Sequence, residues 1–189
     1  MLIVGLNSSP NQDGLTASVL KQVLAGAEAA GAETVLVHMK ERTLEACRQC
    51  DNGWGQCRQE HTCVIEDDFQ ALREQLHAAD ALVFANPVYF GELSEVAKTF
   101  LDRLRRCEAF EEGPLTGNLF LGIAAAGGSG GGIVSCQQVL ERYCQHMRMK
   151  LFDMIPVTRL TREYKLESAY LAGAALAKAL AASSPSPTG

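Results

Sequence analysis

At 189 residues the chain is long enough for one domain with a full-sized core. It is 47% hydrophobic and 21% charged with a net charge of −5, which gives no reason to expect nucleic acid or an anionic membrane surface as a partner. No apolar run reaches the length that spans a bilayer and the chain opens without a basic leader, so a cytoplasmic location is expected.

Leu2–Leu6 reads as a short buried strand. It breaks into Asn7-Ser8-Ser9-Pro10-Asn11-Gln12-Asp13-Gly14-Leu15-Thr16, where a helical pattern begins. Such a strand–turn–helix junction is an anion site, because the free N–H groups of the first helical turn and the positive end of the helix dipole face the turn. What is missing narrows the class. No Lys follows Gly14, so this is not the loop that grips nucleoside triphosphates, and there is no G-x-G-x-x-G dinucleotide fingerprint. The turn has no Cys to act as a phosphatase nucleophile, and the strand ends without a carboxylate to accept a phosphoryl group. The loop is built to hold a phosphate without cutting it.

Thr16–Ala30 follows as a helix with Val19, Leu20, Val23, Leu24 and Ala27 at helical spacing, and Glu33–Met39 is the second strand. Residues 40–66 show no clean period and hold Cys47, Cys50, Cys57 and Cys63 together with Trp54 and His61. So long an irregular stretch is usually functional. Asp67 or Asp68 is expected to cap the next helix, with Gln70 completing a capping box and the helix ending near Ala78. Ala81–Asn86 is apolar enough for a strand buried on both faces, and it ends in Pro87-Val88-Tyr89-Phe90-Gly91. Ser94 is placed to cap a helix carrying Val96, Ala97, Phe100, Leu101 and Leu104. On that helix Lys98, Asp102 and Arg103 read as solvated ion pairs. Leu119–Ala126 is the fourth strand, followed by Gly127-Gly128-Ser129-Gly130-Gly131-Gly132. A helix to about Met149 carries Cys136 and Cys144 on its apolar face, Leu151–Val157 is the fifth strand, and Leu166–Ala182 is an Ala-rich helix. Residues 183–189 have the composition of a flexible tail.

Strict alternation of strand and helix implies an α/β fold with a parallel sheet covered on both faces. Five strands fit a flavodoxin-like three-layer sandwich in the order 2-1-3-4-5, with ligand beyond the carboxyl ends of the strands at the switch point between the first and third. The turns after strands 1, 3 and 4 should therefore converge. Residues 1–182 are expected to form one such domain, with 40–66 as a Cys-rich excursion.

These three turns resemble those of the flavodoxin-like NAD(P)H-dependent FMN reductase family, close to its iron–sulfur flavoprotein branch. The resemblance rests on Asn7 through Thr16, on Cys47-x-x-Cys50 leading to Cys63-x-x-x-Asp67-Asp68, and on Ala79-Asp80, Asn86 through Phe90, Lys98 and Asp102-Arg103. It implies that Ser9, Asn11, Gly14, Leu15 and Thr16 surround an FMN phosphate. Pro87, Val88, Tyr89, Phe90 and Gly91 would line the isoalloxazine ring, and Gly127, Gly128, Ser129, Gly130 and Gly131 would border its pyrimidine side. Relatives commonly carry Arg or Lys where this chain has Asn11, which removes a cation from the phosphate. The flavin carries the chemistry, so no side chain is assigned a catalytic role. NAD(P)H would deliver hydride, and a flavin, quinone or similar flat acceptor would receive it. A homodimer or homotetramer is the assembly the resemblance implies. The rival readings are an iron–sulfur flavoprotein or flavodoxin-type electron carrier without its own NAD(P)H turnover, and a sensory or assembly protein that has kept only the fold.

Seven cysteines, an odd number, argue against a disulfide framework. Cys47-x2-Cys50-x6-Cys57-x5-Cys63 offers four thiolates in one loop. That set suits a cubane 4Fe–4S cluster or a structural zinc, although the cluster-bearing relatives have a tighter second gap. The third alternative is no metal, with the loop packed over the flavin or on a second subunit. His61 is a candidate to face the substrate.

Overall fold

The computed structural model describes residues 1–108, 110 and 112–183. Alternating apolar strands and amphipathic helices give β1 (Leu2–Asn7), α1 (Leu15–Ala29), β2 (Glu33–His38), α2 (Gln56–Gln59), α3 (Phe69–His77), β3 (Ala81–Pro87), α4 (Glu95–Cys107), β4 (Leu119–Ala125), α5 (Ile133–His146), β5 (Lys150–Val157) and α6 (Arg162–Ser183). The strands pair in parallel in the order β2-β1-β3-β4-β5. This is the flavodoxin-like arrangement expected from the sequence. Every residue of β3 is buried, as its unbroken apolar run required, whereas the edge strand β2 alternates between exposed and covered positions.

Two apolar layers flank the sheet. On one side Leu6, Phe84, Phe100, Phe120 and Leu140 pack beneath α3, α4 and α5, and on the other Ile3, Val83, Ile123 and Leu176 pack beneath α1 and α6. α1 and α6 cross at Gly26 and Gly173. A Cβ on Gly26 would run into the carbonyl of Tyr170, and one on Gly173 into the carbonyl of Val23, so the two backbones touch directly.

Most element ends fall within a residue or two of expectation, while α6 begins four residues earlier, at Arg162. The rest of the expected tail after Ser183 lies outside the described residues. The stretch 40–66 contains short helical turns, at Met39–Glu41, Asp51–Gly53 and Gln56–Gln59.

The capping box expected at α3 is not made. Asp68 is the N-cap without a side-chain hydrogen bond, and the Gln70 amide donates to Glu74 at 3.3 Å. Asp67 accepts from the Phe69 N–H at 3.1 Å, yet its main partner is Arg103, which donates to both carboxylate oxygens at 2.5 and 2.8 Å. Arg103 is thus no solvated residue. Its side chain is 1% exposed and its guanidinium lies 4.2 Å from the Phe69 ring centroid. Lys98 and Asp102 do form the exposed i,i+4 pair that the spacing indicated. The Glu45 N–H donates to Asp67 at 2.7 Å and the Thr43 N–H to Asp68 at 2.7 Å, so the start and end of the Cys-rich excursion are tied together. Burial pushes the Asp67 carboxyl up, but the Arg103 guanidinium and the two N–H donors outweigh it and hold it below the ordinary carboxylate range.

Candidate functional site

β1 and β3 stay paired to their carboxyl ends, where a buried polar network ties the turns that follow them together. Asn7, Ser8, Asn86 and Ser94 are all inaccessible or nearly so. The Ser8 hydroxyl meets Asn86 Oδ1 at 2.9 Å, the Ser94 N–H donates to the same oxygen at 3.0 Å, and the Ser94 hydroxyl donates to the Ser8 carbonyl at 3.0 Å. Asn7 Oδ1 accepts from the Ser9 N–H at 3.1 Å, and the Asn86 amide reaches the sulfur of Cys136 at 3.3 Å. Such fully partnered networks fix loop geometry. The spacing of small polar residues near strand ends was the available signal, but it did not reveal that Asn86 and Ser94 would be tied to Ser8. Ser94 also accepts from the Ala97 N–H, capping α4 as expected. Cys136 and Cys144 are buried, and burial pushes each thiol up to about 11.

Above this floor lies a crevice of about 600 Å³ lined by Ser9, Asn11, Gly14, Leu15, Thr16, Pro87, Val88, Tyr89 and Gly127, and additionally by Pro10, Ala125, Ala126 and Arg159. The turns after β1, β3 and β4 therefore converge. Phe90, Gly91, Gly128, Ser129, Gly130 and Gly131, which the sequence placed with them, lie outside this lining.

The turn after β3 explains where Phe90 goes. Tyr89 and Glu92 exchange backbone hydrogen bonds at 3.1 and 2.9 Å across a tight turn with positive φ at Phe90 (51°) and Gly91 (83°). That geometry throws the Phe90 side chain away from the crevice wall, and it is fully exposed at 107% while Tyr89 is 47% exposed.

At the other end, α1 begins on Gly14 with no side-chain cap. Among the described residues, the backbone N–H groups of Leu15, Thr16 and Ala17 have no acceptor in the protein, and Thr16 is buried against the crevice. Unpaired donors at a buried helix start call for a partner. An anionic group in the turn would be the cap that the sequence omits, and the crevice volume suits a ligand of cofactor size. The glycine side offers the same kind of donor, since Gly127 and Gly128 donate no backbone hydrogen bond among the described residues.

Cys47, Cys50, Cys57 and Cys63 gather around a second, much smaller cavity together with Cys107. Arg48, Arg103 and Arg106 line it as well. Arg58, Arg105 and Arg106 surround Trp54 at 6.0, 5.6 and 4.9 Å from its ring centroid, and Arg106 donates to the Gly53 carbonyl. Thiolates in so positive a setting are the right donor chemistry for an iron–sulfur cluster or zinc. The space is about 20 Å³, room for about one water. Among the described residues no three metal-binding side chains converge on one ion. The donor set fits such a group and the space does not. Cys107 is a poor ligand, since burial, with Cys63 and Cys57 adding to it, pushes its thiol up to about 12. His61 packs against Phe110 with ring centroids 4.0 Å apart at a tilt of 45° and is not among the residues that line the crevice.

Among the described residues no helix is long and apolar enough to cross a membrane. The chain is similar to an iron–sulfur flavoprotein of Methanocaldococcus jannaschii, 28% identical over 158 residues, which cover 82% of this chain and 78% of that one. An iron–sulfur flavoprotein of Archaeoglobus fulgidus is 33% identical over 143 residues, covering 75% and 71%. Among solved structures, an NAD(P)H:quinone oxidoreductase from Methanothermobacter marburgensis superposes with a TM-score of 0.70 at 19% identity, covering 93% of this chain and 96% of that one. A flavone reductase superposes with a TM-score of 0.76 at 17% identity, and this chain spans 63% of its length. At those identities the two structures share the flavodoxin-like fold. The profile of the NADPH-dependent FMN reductase family matches residues 1–156. With that match added to the switch-point crevice, the chain belongs to the NADPH-dependent FMN reductase family of flavin-dependent oxidoreductases.

Proposed function

We propose that the protein holds FMN in the switch-point crevice and uses NADH or NADPH to reduce a flat acceptor such as a flavin or quinone. The observation that carries this reading is the uncapped start of α1, whose free N–H groups face a crevice of about 600 Å³. Ser9, Asn11, Gly14, Leu15 and Thr16 would hold the phosphate, and Pro87, Val88 and Tyr89 would wall one side of the ring. When bound, FMN supplies the hydride chemistry. The protein's part is to orient the ring, keep one face open to ligands that take turns there, and present the N–H groups of Gly127 and Gly128 to its polar edge. Phe90, Gly91 and Ser129 to Gly131 would border the outer part of this site. We assign the whole of 1–182 to one FMN-binding domain, place the protein in the cytoplasm, and expect it to act as a homodimer or homotetramer. The exposed Tyr89 and Phe90 suit a wall shared between subunits. The test is anaerobic: fluorescence titration with FMN, then NAD(P)H oxidation with and without a quinone or free flavin. Tight FMN binding with acceptor-dependent turnover supports the reading. Failure to bind FMN overturns it.

A second reading, an iron–sulfur flavoprotein that passes electrons between partners, draws on the donor chemistry of the four loop cysteines beside three arginines and requires their cavity to widen around the cluster. Iron and acid-labile sulfide in protein purified without oxygen, with a broad absorption over the flavin bands, would establish it. Protein free of iron, zinc and sulfide would assign Cys47, Cys50, Cys57 and Cys63 to packing.

A further inference from the structure

Among the described residues Arg159 is the one charged side chain in the lining of the crevice, and nothing in the sequence singled it out. Among the described residues it has no hydrogen-bond or ion-pair partner. Its neighbours are otherwise engaged. The Thr158 N–H donates to the Thr161 hydroxyl at 2.9 Å, while the Thr158 hydroxyl accepts from the N–H groups of Leu160 and Thr161 at 3.2 Å each. This reciprocal pair locks the loop between β5 and α6. The same loop leans on the glycine turn. The Ala126 N–H donates to the Val157 carbonyl at 2.9 Å, and a Cβ on Gly130 would lie 3.1 Å from the Thr158 methyl. From that fixed base the Arg159 guanidinium extends to within 4.0 Å of where a Gly127 Cβ would stand.

The position along the crevice decides what this cation can serve. The phosphate-holding turn follows β1, and Arg159 follows β5, three strands away in the order β1-β3-β4-β5. Its guanidinium, lying beside Gly127 after β4, is two inter-strand steps from that turn, about 10 Å. Arg159 therefore stands at the far end from the α1 N-terminus, beside the bare backbone of Gly127. It cannot stand in for the cation missing at Asn11. We infer that Arg159 is the residue that sets the charge preference of the bound flavin, favouring the reduced ring over the oxidised one. The inference rests on the proposal that FMN occupies the crevice. Hydride from NAD(P)H brings two electrons and one proton, so the ring gains one negative charge, which spreads over the N1–C2=O edge of the pyrimidine. Beside that edge the guanidinium, although exposed to solvent, would stabilise the added charge and give the oxidised ring much less. Free backbone N–H groups orient the ring, and Arg159 supplies the full positive charge they lack.

Arg159 is exposed and bonds to no other described residue, so Arg159→Ala leaves the fold intact, checked by circular dichroism. The experiment compares the parent, Arg159→Ala and Arg159→Lys by fluorescence titration with oxidised FMN and by reference-dye measurement of the bound flavin's two-electron potential. For Arg159→Ala we expect binding of oxidised FMN within about threefold of the parent and binding of reduced FMN weakened about tenfold more. That ratio equals a potential lower by about 30 mV. Arg159→Lys should recover most of it, since the charge is kept. A reduced-to-oxidised ratio within twofold of the parent overturns the inference, and so does equal weakening of both states, which would give Arg159 a role in phosphate binding or shape. If the parent itself binds no FMN, the failure lies with the proposed function.

Discussion

A Cβ at position 132 would stand 2.5 Å from the Cα of Gly91, so the loop after β4 meets the turn after β3 backbone to backbone. The Ser135 hydroxyl adds a hydrogen bond to the Gly91 carbonyl at 2.8 Å. The two walls of the crevice are thus one packed unit. Gly132 also has a φ of +83°, a conformation that side chains disfavour.

Gly132→Ala should therefore fail on two counts, and the Gly91 backbone it meets cannot swing away. A loss of about 1–3 kcal/mol is expected from overpacking, with more from the backbone conformation. Urea denaturation reads the stability. FMN titration should show weaker binding because the wall moves.

Asp67→Ala would leave Arg103 buried without its carboxylate and release the Glu45 N–H. Breaking one side of a buried pair costs about 3–5 kcal/mol. The expected signs are a lower urea midpoint and new proteolytic cleavage within 40–66, because that clamp ties the excursion down.

The same pair makes stability depend on acid. The Asp67 carboxyl is held below its ordinary range in the fold and returns to about 3.9 when the chain unfolds. The unfolded state then binds more protons, so this contribution is complete above about pH 5 and fades as pH falls through the lowered folded value. Asp102, paired with Lys98 and bonded to the Tyr143 hydroxyl, acts in the same direction despite burial pushing it up. Denaturation midpoints measured from pH 7 to pH 3 should fall steeply at the acid end, and Asp67→Asn should flatten that limb.

Periodicity was enough to read the five strands, and the switch-point rule for an open parallel sheet then supplied the turns that converge. It worked because each element buries one face against the same sheet. Arg103 was misread because its spacing from Lys98 and Asp102 is that of an exposed helix face, while its true partner lies 36 residues earlier. Arg159 escaped notice because a single Arg between two Thr carries no period, and its meaning comes from three strands of sheet geometry. Phe90 was assigned to the ring wall by the family resemblance, and the positive φ that leaves it exposed at the outer edge has no signal in the sequence. The Cys-rich stretch stayed unreadable because the tie between Asp67 and Arg103, and the stacking of arginines on Trp54, are set by tertiary packing.

The uncapped α1 sets an affinity ratio. FMN should bind about 100-fold more tightly than riboflavin, a difference of about 2.7 kcal/mol, because only FMN brings a phosphate to the free N–H groups. Parallel fluorescence titrations give the ratio. Thr16→Val should narrow it by weakening FMN alone.

The crossing of α1 and α6 at Gly26 and Gly173 couples the two ends of the crevice. One helix carries the turn at the first end of the crevice and the other begins just past Arg159 at the second. Their bare backbones are locked against each other through interactions that involve no ligand. The span between the two ends is thus set when the chain folds. A side chain that pries the helices apart at either glycine should therefore disturb both ends of the crevice at once, although it touches neither.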